Sequence, residues 1–105
     1  MSVTWGKWVD AWKQGTNTND SSHIEAVITQ DFKWNTSDFD RQATLDWVNT
    51  TNFRVVGDVV TLYENNEIIV GTHQVNSGDS VDTVMGVAYL RGGKVHDYIH
   101  QRKIS

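Results

Sequence analysis

Val84-Met85-Gly86-Val87-Ala88-Tyr89-Leu90-Arg91-Gly92-Gly93-Lys94-Val95 reads as the main length of a strand, a two-glycine turn and the start of a second strand. Glycine reaches positive φ without steric cost, so a glycine pair between two apolar runs reverses the chain as a tight hairpin. From Val81 to Leu90 both alternating faces are apolar: Gly86 and Ala88 stand on one, Met85, Val87 and Tyr89 on the other. Such a strand expects cover on both sides, helices or a ligand on one and another layer on the other. Working back from it, Ser77-Gly78-Asp79 and Asn65-Asn66 are turn formers spaced at strand length. The chain from Phe53 onward therefore predicts a four-strand meander.

The amino-terminal half has a different period. Trp5, Trp8, Val9 and Trp12 fall at i, i+3, i+4 and i+7, one face of a first helix, with Gly15 as its stop. Asn17 to Asp20 are turn formers, and Ser22-His23-Ile24-Glu25 matches a capping box opening a short second helix, with Ile24, Val27 and Ile28 as its apolar face. Phe32-Lys33-Trp34-Asn35 alternates like a brief strand. Thr36 to Asp40 then offers loop and N-cap chemistry before a third helix carrying Ala43, Leu45, Trp47 and Val48. Helices first and an antiparallel sheet second is the α+β arrangement.

The chain has 105 residues, the size of one domain, 1–105, able to bury a core without covalent staples. It has no cysteine, which excludes disulfides, thiolate metal sites and a Cys nucleophile, and fits a reducing compartment. Thirteen acidic against nine basic residues leave a net charge of -4 and a pI of about 5.4. That sign is opposite to what phosphate neutralisation requires, so nucleic acid is not an expected partner. No basic stretch followed by an apolar one opens the chain, and no apolar run approaches a membrane span. The reading is a cytoplasmic protein without membrane contact.

The order of two short helices, a short strand, a third helix and a four-strand meander resembles the nuclear transport factor two-like superfamily. The likeness covers nearly the whole chain. Its carriers are Ile28-Thr29-Gln30-Asp31-Phe32-Lys33-Trp34-Asn35 and the Val84 to Val95 segment, which is similar to the penultimate strand, turn and final-strand start of SnoaL-like polyketide cyclases and limonene epoxide hydrolase relatives. The resemblance implies a cone-shaped curved antiparallel sheet packed on three helices around an internal pocket. It does not imply one reaction, since isomerases, cyclases, hydrolases, dehydratases and domains without activity share the fold.

Carried over position by position, the superfamily's acidic machinery is mostly missing. Thr36 stands where ketosteroid isomerases place a base, with Asp38 two residues on, and Gly86 stands at their acidic oxyanion donor. Gly71-Thr72-His73 replaces the epoxide hydrolases' Arg and Asp, and counting from Lys94 puts His100 at their second acid. The resemblance therefore directs His73 and His100 into the pocket, a pair able to exchange protons near neutral pH. A buried histidine satisfied by a carbonyl or hydroxyl is the structural alternative. Trp34, Thr36, Tyr98, Gly86 and Ala88 surround them as ligand-binding positions, the small residues leaving room that tryptophans from the helices would otherwise fill. Trp5, Trp8, Trp12 and Trp47 divide between core and pocket wall.

No cofactor and no metal is expected. His96 and His100 would share an ion on a helix, but on a strand four residues span about 13 Å. By alternation His96 lies on the His100 face. The expected partners are an apolar small molecule and a second copy of the chain, docked through the row of Met85, Val87 and Tyr89. Two functions follow: an isomerase, cyclase, dehydratase or hydrolase using His73 and His100, or a ligand-binding or dimerisation domain without turnover.

Overall fold

The computed structural model describes residues 2–35, 39–76 and 78–103. In chain order the elements are α1 (Trp5–Thr18), α2 (Ser22–Glu25), β1 (Ile28–Trp34), β2 (Phe39–Asp40), α3 (Arg41–Thr50), β3 (Arg54–Glu64), β4 (Ile68–Asn76), β5 (Val81–Arg91) and β6 (Lys94–Lys103). The Thr4 hydroxyl caps α1 by accepting from the Lys7 amide at 3.2 Å, and Trp5, Trp8, Val9 and Trp12 form its buried stripe. The helix does not stop at Gly15. It runs to Thr18 and closes on Asn19, which takes the left-handed conformation at φ 51°. Gly15 serves packing instead: a Cβ there would lie 3.2 Å from both the Asp20 carbonyl and Val48 Cγ1. Asn19 then ties the ends of two helices together, its Nδ2 donating to the Val48 and Thr51 carbonyls at 3.0 Å each.

The second helix is a single turn, and Val27 and Ile28 are not on it. The capping box does not form, because Ser21 is the N-cap and makes no side-chain cap bond. Asp20 Oδ1 accepts from the Ser22 amide at 3.0 Å instead. The Val95 amide donates to the Val27 carbonyl at 2.9 Å, and Ile28 pairs with Val95 as β1 begins. Pairing with a distant strand thus overrides the local helical spacing, and the strand starts four residues before Phe32. The third helix stands as expected, its N-cap Asp40 accepting from the Ala43 amide at 2.9 Å.

The six strands form one curved sheet in the order β2-β1-β6-β5-β4-β3. Strands β3 to β6 are the antiparallel meander, turning between β5 and β6 on Gly92 and Gly93 at φ 62° and 84°. Strand β1 joins β6 in parallel and carries β2 antiparallel on its far side. The helices pack on one face. Ile69, His73 and Val75 of β4, Val84, Ala88 and Leu90 of β5, and Val95 and Tyr98 of β6 are buried there.

The opposite face of β5 is exposed in the single chain, with Val81, Met85 and Tyr89 at 43, 50 and 38%. One register shift also corrects the alternation on β6. Leu90 pairs with Val95 but Tyr89 pairs with Asp97, so the extra residue turns His96 outward, where its ring lies 6.4 Å from that of Tyr89. His96 and His100 face opposite sides. Among the described residues no helix is long and apolar enough to cross a membrane.

Candidate functional site

Between α1, α3, the carboxyl end of β1 and the inner face of the sheet lies a cavity of about 260 Å³. Its wall is mainly aromatic. Trp12 reaches it from the end of the α1 stripe, Trp34 from the last position of β1, Trp47 from α3, and Phe53 from the segment that enters β3. Trp34 is the hub, with ring centroids 5.0 Å from Trp12, 5.2 Å from Trp47 and 5.1 Å from Phe39. Trp47 and Phe53 meet edge to face at 5.9 Å. Such offset and edge-on contacts hold large rings in fixed orientations, so the wall is rigid although it comes from four segments.

The polar groups on the wall are few. His73 is 5% exposed, and its Nδ1 lies 3.3 Å from the Gln74 carbonyl. A carbonyl can only accept, so Nδ1 carries the hydrogen and Nε2 carries the lone pair. Burial holds the ring's pKa below the usual histidine value, against a smaller opposing effect of the Gln74 hydrogen bond. His73 is therefore a neutral imidazole at pH 7. His100 is clamped between rings, stacked on Tyr98 at 5.4 Å and tilted against Trp34 at 5.3 Å. Its amide donates to Asn35 Oδ1 at 3.1 Å.

Asn35 itself sits at φ 52°, a left-handed conformation that asparagine tolerates better than most residues, and its amide donates to the Tyr98 carbonyl at 2.7 Å. Tyr98 is buried, and burial raises its hydroxyl well above the ordinary value, leaving a neutral phenol. Thr16 is occupied structurally: its hydroxyl donates to the Trp12 carbonyl at 2.8 Å and accepts from the Val55 amide at 3.4 Å.

His73, His100, Trp34 and Tyr98 all line this one cavity. The two histidines stand on strands two apart in the sheet. His100 pairs with Gly86, Gly86 with Gly71, and His73 lies two residues along β4 from Gly71. Two strand spacings and two residues of rise separate their Cα atoms by about 12 Å, so they line different parts of the cavity wall.

Gly86 and Ala88 do not line the cavity. A Cβ on Gly86 would lie 2.5 Å from Tyr98 Oη and 2.9 Å from Trp5 Cη2, so core rings already take the room its small size leaves. Ala88 is fully buried in the core. Thr36 and Asp38 lie outside the described residues. Trp5 and Trp8 are core, fully buried. Asn35, Phe39 and Phe53 are wall residues that the sequence does not single out; an asparagine directly after a strand is the only signal for the first. Among the described residues no group of three or more His, Asp or Glu side chains could hold a metal ion.

Solved structures share this architecture. A protein from Sphaerobacter thermophilus superposes with a TM-score of 0.72 at 10% identity, over 91% of this chain and 93% of its own. A nuclear transport factor two-like protein from Anabaena variabilis superposes with a TM-score of 0.56 at 12% identity, over 98% of this chain and 94% of its own. No protein-family model matches the sequence, and no curated protein matches it significantly. The chain has the nuclear transport factor two-like fold, an α+β architecture of one curved six-stranded sheet and three helices. At these identities the likeness establishes the fold alone.

Proposed function

We propose that the protein binds a small, mostly apolar molecule in the aromatic cavity, as a SnoaL-like protein in which His73 and His100 supply proton transfer. The observation that carries this reading is the cavity itself: a space of about 260 Å³ walled by five tryptophan and phenylalanine rings with a buried neutral imidazole on its surface. A concave apolar space with a few convergent polar groups is the usual form of a ligand site. The lone pair on His73 Nε2 suits a base, and the second imidazole on the wall suits a group that returns a proton, as isomerisation, cyclisation, dehydration and hydrolysis all require. Binding without turnover is the second reading, favoured by the packing of His100 between the Tyr98 and Trp34 rings.

The assembly belongs to the same proposal. On the open face Tyr63, Val70, Val87 and Ile99 are register partners across four strands, with exposed Val60, Met85 and Tyr89 beside them. An apolar band running across four of the six strands favours burial, and a second copy of the chain covers it in a homodimer. The cysteine-free composition suits the cytoplasm.

Isothermal titration with naphthalene tests the binding reading. The expected result is saturable binding that replacement of Trp34 by alanine weakens at least tenfold. Absence of binding by naphthalene and by larger ring compounds contradicts it.

A further inference from the structure

The cavity wall also selects among apolar ligands. We infer that the preferred occupant is an uncharged, flat molecule of one or two fused rings that carries a hydroxyl group and donates it to His73 Nε2. This rests on the cavity being a ligand site, and it adds the chemical class.

Three observations point the same way. The first is size: about 260 Å³ lies just under the roughly 300–1,000 Å³ of drug-sized pockets, and the neighbouring rings at 5.0 to 5.9 Å offer flat faces and edges for a ring to pack against. The second is charge. Among the side chains that the structure describes the lining has no Asp, Glu, Lys or Arg, so those walls offer a charged ligand no ion pair in exchange for its hydration. The third is hydrogen-bond polarity at His73. The Gln74 carbonyl engages Nδ1 and thereby assigns the ring's one hydrogen to that nitrogen, leaving Nε2 able only to accept. A ligand group that meets it must donate, and in an uncharged ring compound the simplest donor is a hydroxyl. A carbonyl or ether oxygen in that place would set lone pair against lone pair.

The test compares 2-naphthol, naphthalene, 2-methoxynaphthalene and N,N,N-trimethylanilinium by isothermal titration on the full chain. One neutral hydrogen bond corresponds to about a tenfold preference. The expected order is therefore 2-naphthol about tenfold tighter than naphthalene and 2-methoxynaphthalene, with the cation weakest. In His73→Phe, which keeps an apolar ring at the position but has no acceptor, the preference falls to within twofold while naphthalene still binds. His73→Leu serves the same comparison if the phenylalanine variant does not fold. Equal binding of 2-naphthol and 2-methoxynaphthalene, a preference that survives loss of the imidazole, or tightest binding of the cation overturns the inference while leaving the cavity a ligand site. Failure of all four probes overturns the ligand site itself.

Discussion

Replacing Gly86 with alanine couples the core to the cavity. The added Cβ would sit 2.5 Å from Tyr98 Oη, 2.7 Å from Tyr98 Cε1 and 2.9 Å from Trp5 Cη2, against 3.4–4 Å for ordinary contact. The Tyr98 ring must therefore move by about 1 Å to restore van der Waals spacing. It is hemmed in by Trp8 at 5.0 Å, Trp12 at 6.2 Å and the stacked His100 at 5.4 Å, and the open direction is the cavity it lines. Overpacking of this kind costs about 1–3 kcal/mol, reduced by about 0.5–1 kcal/mol because alanine loses less entropy than glycine on joining a strand. A net loss of about 1–2 kcal/mol lowers the melting temperature of a domain this size by roughly 5–15 °C. Thermal unfolding followed by tryptophan fluorescence measures it, and titration of naphthalene into the folded variant should show weaker binding because Tyr98 has shifted into the site. Gly6→Ala is the control of opposite sign, since nothing lies within 4 Å of a Cβ there and the helical position gains up to about 1 kcal/mol. A Gly86→Ala protein as stable as the parent, with unchanged affinity, would refute the packing of Tyr98 and Trp5 against that strand.

Val87→Asp places a charge at the centre of the apolar band and should convert the proposed dimer to a monomer in light scattering without weakening naphthalene binding; a monomeric parent protein at micromolar concentration contradicts the assembly. Asp40→Ala removes the cap that accepts from the Ala43 amide and should cost about 1 kcal/mol in urea unfolding. The third prediction concerns acid. Burial lowers the His73 pKa in the folded chain from its ordinary 6.5, so the unfolded chain binds this proton more readily. The contribution is fully present above 6.5 and is lost as the pH falls from there through the folded value. Urea midpoints measured from pH 7.5 down to 5 should fall more steeply for the parent than for His73→Phe, and equal slopes count against burial of that imidazole.

What the sequence discloses and what it hides separate by the range of the forces involved. The α1 stripe and the glycine turn are local, so spacing alone predicts them. Gly15 misleads because a glycine that ends a helix and one that lets Val48 and Asp20 approach look the same in sequence. Ile28 misleads because its partner Val95 is 67 residues away, and no local period reports a parallel pairing. Alternation places His96 on the wrong face because one register shift at Tyr89 and Leu90 inverts everything before it on the strand. The site shows the same division. His73, His100, Trp34 and Tyr98 follow from the register of a resembling fold, whereas Asn35, Phe39 and Phe53 come from irregular segments or strand ends whose positions only the packed chain defines. Gly86 and Ala88 carried an ambiguity that composition could not resolve: small residues on a buried strand leave space either for a ligand or for a neighbouring ring, and at Gly86 the neighbours are Tyr98 and Trp5.

The most direct test of the ligand site is a crystal of the protein soaked with 2-naphthol. The account predicts ring density inside the cavity, packed against Trp34 and Trp47, with the hydroxyl oxygen within hydrogen-bond distance of His73 Nε2. A cavity collapsed onto its own side chains, or naphthol bound only on the open face of the sheet, would contradict it.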